Sequence, residues 1–293
     1  MQVEQTPDLV TPLPGATPAA AAPARLVRSK LLITAANATA CYLLAYQLCA
    51  VVFQYATVNR AKHEHILGQW TVGGVHFILP DSAWGYTAVI NVYAVGPLLM
   101  LLLGTTAFVL FWKWLRFRRG PGKLLVLWIC FHAINYLLGG LLADSITQSG
   151  SAFVPSWAMG GMGIALVLGV LAGIGQVAAG FGLSLPFLLA QESLTLLQFD
   201  NRPLLVRYTI ILPALAGTAL LVLSRLPLLT TNEALHYATM GLLLVPLSIG
   251  LSQQTLGEAL VKPRATHLAG GLIGLAVAAL VAWRVALGGG ISF

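Results

Sequence analysis

The sequence predicts an all-α polytopic membrane protein with about seven transmembrane helices and one short extramembrane β-hairpin. Three observations carry this expectation. The chain has 293 residues, 58% of them hydrophobic and only 9% charged, with a mean hydropathy of +0.84. A soluble domain carries roughly 25% charge, so lipid is the solvent that this composition suits. Apolar stretches recur along the chain, each near the roughly 20 residues that a helix needs to cross a bilayer. Finally, Lys and Arg concentrate in the short segments between those stretches, as cytoplasmic loops do.

In chain order, residues 1–30 read as a cytoplasmic tail, and residues 31–293 as a single transmembrane helical domain. The first 24 residues are rich in Pro, Ala and Thr without apolar periodicity, which is a disordered composition. No short apolar core follows a basic start there, so a cleaved signal peptide is not expected. Arg25, Arg28 and Lys30 then precede a first span over 31–58, an uncleaved anchor with its N-terminus inside. The loop over 59–84 contains GQWTVGGVHFIL, which alternates around Gly73–Gly74 and predicts strands over 69–72 and 75–79. The second span, over 86–115, contains Asn91 and a Gly96–Pro97 step, with Trp112 and Trp114 as an aromatic belt.

The third span starts near Lys123 and carries WICFHAINYLLGGLLADSI, in which Gly139–Gly140 and then Asp144 are expected to end the helix. A fourth apolar stretch over 157–190 is too long for one ordinary helix, and Pro186 is expected to kink or end it. Later spans are expected over 204–223, 235–254 and 268–287. Counted over seven spans, twelve Lys and Arg fall inside and four, Arg60, Lys62, Arg225 and Arg284, fall outside. An eight-span division lowers the bias to ten against six, so seven spans are preferred. The expected location is a bacterial inner membrane with the N-terminus in the cytoplasm.

The net charge of +7 reflects basic loops rather than nucleic-acid binding, since no basic stripe with interleaved aromatics occurs. Cys41, Cys49 and Cys130 lie inside apolar runs and form no CxxC pair, so they read as buried small hydrophobes. Small residues recur every four positions at Gly161, Ala165, Gly169 and Gly173, and again at Gly270, Gly274 and Ala278. Such faces let helices approach closely, within the chain or against a membrane-protein partner or second copy.

The densest polar cluster in any span is His132, Asn135 and Tyr136, which share a face at i, i+3 and i+4. His132 and Asn135 suit a general base with its orienting partner, and Asp144 is the third catalytic candidate. The plainer reading of His132 is a neutral imidazole bonded to another helix. On an unbroken helix Asp144 faces about 180° away from Asn135, so both meet one site only if the glycine pair breaks the helix. His63, Glu64, His65, His76 and Asp81 form an outer cluster of metal-ligating types, but their spacing matches no zinc motif and a solvated loop explains them as well. Asn37, Gln47, Gln54, Asn91, Gln176, Glu192 and the Gln254–Glu258 pair are further polar positions in or near spans. No phosphate-binding glycine loop, GxSxG elbow or HExxH occurs, and no cofactor is expected.

The order of features over 31–146 resembles the core of the site-2 protease family of intramembrane zinc metalloproteases. These features are a first helix, a hairpin-bearing loop, the Gly-Pro step in AVGPLLMLLLG, and an Asn-to-Asp stretch NYLLGGLLAD. The matching first helix, ITAANATACYLLAYQ, lacks the family's HExxH, so the resemblance implies a degenerate scaffold without zinc chemistry. Asn135 and Asp144 are the residues that it carries over. Three functions compete from sequence: a non-catalytic scaffold or partner-binding protein, a small-molecule or ion transporter, and a membrane enzyme using His132.

Overall fold

The computed structural model describes residues 24–254 and 266–293. Among the described residues seven helices are long and apolar enough to cross a membrane. They are α1 (Ala24–His63), α2 (Tyr86–Lys113), α3 (Gly122–Thr147), α4 (Phe153–Leu189), α5 (Arg202–Arg225), α6 (Thr231–Gln253) and α7 (Gly270–Leu287). The protein is a helical membrane protein of the expected class. Helices are the answer in lipid because each satisfies its own backbone hydrogen bonds. The first 23 residues lie outside the described residues, as do Glu258, Lys262 and Arg264.

Three short strands form an antiparallel sheet: β1 (Gly68–Thr71), β2 (Gly74–Phe77) and β3 (Ile291–Ser292), in the order β2-β1-β3. The hairpin is where the sequence placed it, but its strands begin one residue earlier than expected. Thr71 pairs with Gly74, so Val72 and Gly73 make the turn. Two glycine properties set this register. Gly74 has φ 129°, which side chains rarely adopt, and Gly73 lies against the Leu228 main chain where a β-carbon would collide. The partner strand β3 was not expected, because two residues carry no pattern.

This topology puts the hairpin, the α3–α4 connection, the α5–α6 connection and the end of α7 on one face, called here the hairpin face. The α2–α3 and α4–α5 connections, the end of α6 and the start of α7 lie on the other. The core is aromatic: Tyr42 of α1, Trp128 and Phe131 of α3 and Phe187 of α4 are fully buried. Gly217 of α5 lies against the Tyr42 ring where any side chain would overlap it. All three cysteines are free and buried.

The small-residue faces have two different fates. On α4, Gly169 meets Ser145 and Gly173 meets Leu142, so that stripe packs inside the molecule. On α7, a β-carbon at Gly270 or Gly274 would meet nothing among the described residues, and only 17% of that helix's most apolar stretch is buried. Gly161 has φ 73° and interrupts α4 near its start.

Candidate functional site

The site grows from an irregularity in α3. Its glycine pair does not end the helix, contrary to expectation. Instead Asn135–Gly139 forms a π-turn, and the helix runs on to Thr147 before Gln148 turns left-handed. On a regular α-helix Asp144 would lie about 80° round from Tyr136. The π-turn takes up one extra residue and removes most of that angle. Tyr136, Gly140 and Asp144 accordingly line one cavity of about 410 Å³ beneath the hairpin.

Asn135 points away from that cavity and is fully buried. Its Nδ2 donates to the His236 carbonyl at 3.2 Å, while its Oδ1 accepts from Gln176 Nε2 at 2.8 Å and Thr239 Oγ1 at 3.4 Å. One amide thus joins α3, α4 and α6. Gly139 makes room for it, since a β-carbon there would overlap Asn135, Thr239 and Gln176 side-chain atoms together. His236 Nε2 lies 3.0 Å from the Asn135 main-chain oxygen. A carbonyl only accepts, so the proton is on Nε2 and Nδ1 is the acceptor of this ring. The His236 ring lines the cavity.

Asp144 closes the α3–α4 connection. Its Oδ2 accepts from Ala152 N–H at 2.8 Å and its Oδ1 from Asn232 Nδ2 at 2.7 Å. A carboxylate at the start of α4 also complements that helix's dipole. Gly150, at φ +99°, lets the loop wrap the carboxylate where a side chain would collide with it. Asn232 donates in addition to Thr147 Oγ1 at 2.8 Å.

Arg225, at the end of α5, pairs with Glu233 in the first turn of α6. Glu233 belongs to a capping box with Thr230, whose Oγ1 accepts from Glu233 N–H at 3.2 Å. Only 2% of Arg225 is exposed, and its guanidinium lies 5.5 Å from the Tyr46 ring and 5.7 Å from the Trp283 ring. Its Nη1 engages Glu233, whereas its Nη2 has no hydrogen-bond partner among the described residues. Both residues line the same cavity as Asp144 and His236. Tyr46 and Tyr237 join hydroxyls at 2.8 Å, and Trp70 of β1 donates to Gln54 of α1 at 2.6 Å, which fastens the hairpin over the cavity.

His132 lies outside this cavity. It is fully buried, and its ring centroid is 4.4 Å from that of Tyr42, 5.5 Å from Tyr46 and 5.7 Å from Phe131, all edge-on. Neither ring nitrogen makes a well-formed hydrogen bond among the described residues. Aromatic rings surround it, and the Tyr42 main chain of α1 is its interhelical polar neighbour. The three catalytic candidates are therefore separated: His132 in an aromatic box, Asn135 in a hydrogen-bond node, and Asp144 on the cavity wall.

A second cavity, of about 300 Å³, lies at the opposite end of α1 and α3, against Asn37, Pro121, Glu192 and His267. Glu192 accepts from Gly120 N–H at 2.6 Å and lies 3.2 Å from Lys123 Nζ. Asn37 ties α1 to the approach to α7 by bonding the His267 carbonyl at 2.8 Å and Ala269 N–H at 2.9 Å. In the outer cluster, Glu64 pairs with Arg60 at 2.5 Å and accepts from Asn91 at 3.2 Å. His63 and His65 are exposed, and His76 of β2 borders the larger cavity. Among the described residues no three His, Cys, Asp or Glu side chains gather as a metal would require.

Sequence reasoning passed over Arg225, Asn232, Glu233 and His236. Arg225 reads as an ordinary loop charge, and only the Thr230-x-x-Glu233 capping signature points to this turn. No protein-family model, no curated protein and no solved structure matches the chain.

Proposed function

We propose that this membrane protein is a carrier that binds a small polar solute in the cavity beneath the hairpin and passes it across the bilayer. One observation carries the reading. Two cavities, each with polar side chains in a partly apolar wall, lie at opposite ends of α1 and α3, and the aromatic layer of Tyr42, Trp128 and His132 stands between them. A binding site closed from the far side by a packed layer is the arrangement that alternating access needs. Irregular helices support it: the π-turn of α3, a second π-turn at Arg207–Ile211 in α5, and Pro97, Pro246 and Pro213 within helices. In this reading His132 packs the layer and does no chemistry. The basic end of the bundle, with Lys113, Arg116, Arg118, Arg119 and Lys123, faces the cytoplasm of a bacterial inner membrane, and the hairpin faces outward.

The test has two steps. Purified full-length protein is screened by thermal unfolding against small polar solutes, since a ligand at a hundred times its Kd stabilises by about 2.7 kcal/mol. The stabilising solute, radiolabelled, is then offered to proteoliposomes. Uptake above that of protein-free liposomes is expected. Stabilisation without uptake reduces the protein to a receptor, and no stabilisation by any solute removes the reading.

The bare small-residue face of α7 favours a second reading, a scaffold that holds a partner helix or a second copy. Crosslinking between copies or to a co-purifying membrane protein through a cysteine placed at Gly274 would support it.

A further inference from the structure

We infer that the solute bound beneath the hairpin is a zwitterion of the amino-acid class, with its carboxylate on Arg225 and its ammonium toward Asp144 and His236. This rests on the binding role proposed above for the same cavity, and it names the chemistry of the ligand.

The carboxylate end follows from Arg225. A guanidinium is permanently charged and offers donors in a fixed planar fork. Glu233 and the capping box hold the group in place, yet Nη2 is left without a partner while the residue is 98% removed from solvent. A buried cationic donor with no acceptor is costly, and a carboxylate oxygen reached by a small shift of the guanidinium supplies the missing acceptor for Nη2. The Tyr46 and Trp283 rings flank the guanidinium and keep it from turning away.

The ammonium end follows from the charge balance. The same cavity is lined by two carboxylates, Asp144 and Glu233, against the single guanidinium. A simple anion would enlarge that negative excess, and a simple cation would leave Nη2 unsatisfied. A zwitterion meets both demands. Asp144 retains lone pairs beyond its bonds to Ala152 and Asn232, and the Nδ1 of His236 is an acceptor by its tautomer. The remaining wall includes Phe53, Phe77 and Tyr93, which suit an apolar side chain or the face of an ammonium group. A volume of about 410 Å³ admits one small molecule.

The experiment titrates purified full-length protein calorimetrically with each proteinogenic L-amino acid, its decarboxylated amine and its deaminated carboxylic acid. At least one amino acid should bind, with its amine and its acid each at least tenfold weaker. Arg225→Lys keeps the charge but loses the fork, and should weaken the amino acid and the acid at least tenfold while leaving the amine unchanged. Asp144→Asn should narrow the gap between amino acid and acid. Should Arg225→Lys fail to fold, the ligand series on the wild type and on Asp144→Asn still decides the matter. Equal binding of the acid, or of the amine, overturns the zwitterion and leaves the carrier standing. Binding of other polar solutes but of no amino acid does the same. If no solute of any class binds, the carrier reading itself is what has failed.

Discussion

The Nε2 of His236 lies 3.0 Å from the main-chain oxygen of Asn135, so a side chain of α6 bonds the π-turn of α3. One helical turn earlier on α6, Asn232 bonds Asp144 at 2.7 Å. An i, i+4 pair on one helix thus grips two points of another. The adjacent Glu233 holds Arg225, which brings α5 into the same arrangement. The cavity wall depends on these three consecutive interactions more than on the residues that stand out in α3.

The glycine pair of α3 should separate sharply under substitution. Gly139→Ala places a methyl group on Asn135, Thr239 and Gln176, whereas a β-carbon at Gly140 meets nothing. Gly139→Ala should destabilise the protein by roughly 1–3 kcal/mol, the cost of leaving buried amide groups unpaired. Gly140→Ala should be neutral or stabilising by up to about 1 kcal/mol, because alanine favours helix. Thermal unfolding of both variants in detergent checks this, and equal losses would remove the node from the account.

His132 should tolerate an aromatic and reject an amide. Its nitrogens make no well-formed hydrogen bond among the described residues, and its neighbours are mostly ring edges. His132→Phe adds one ring atom while removing two poorly paired nitrogens, and should cost about 1 kcal/mol, the low end for overpacking. His132→Asn should cost more, because it buries an amide among aromatics. Melting temperature and transport are measured together. A folded His132→Phe that has lost transport would give the imidazole a chemical role.

Asp144 should govern the α3–α4 connection. Asp144→Ala removes acceptors from Ala152 N–H and Asn232 and should cost about 1.5–3 kcal/mol, the range for hydrogen bonds to charged groups. Asp144→Asn should retain part of that. Hydrogen exchange over 148–156 is the readout, and unchanged protection in the alanine variant would contradict the loop-closing role.

Orientation is open to a direct measurement. A reporter active only outside the cytoplasm, fused after Phe293, should be active, because the hairpin face carries few basic residues. Activity of a cytoplasmic reporter at the same point would reverse the assignment.

Metal content tests what the degenerate-protease resemblance implies. The first helix offers no histidine or glutamate over 33–47, and the outer histidines do not gather. Metal analysis should return far less than one zinc per chain, and stoichiometric zinc lost on substituting His63 or His65 would place a site in the outer loop.

Sequence alone determined the membrane class, the number of long apolar helices and the position of the hairpin. Each depends on local quantities: the length of an apolar run, the charge between runs, and a short alternation around two glycines. It also singled out Asp144, which reaches the cavity, and Asn135, which holds the helices together. Tertiary structure decided the rest. Whether Asp144 and Tyr136 share a face depends on a single π-turn, and that turn is stabilised by His236 more than 90 residues away. Arg225 looks like one more loop charge until Tyr46, Trp283 and Glu233 close around it. Apolar length is written along one helix, but the pairing of polar groups in lipid is set by which helices meet and in what rotational phase.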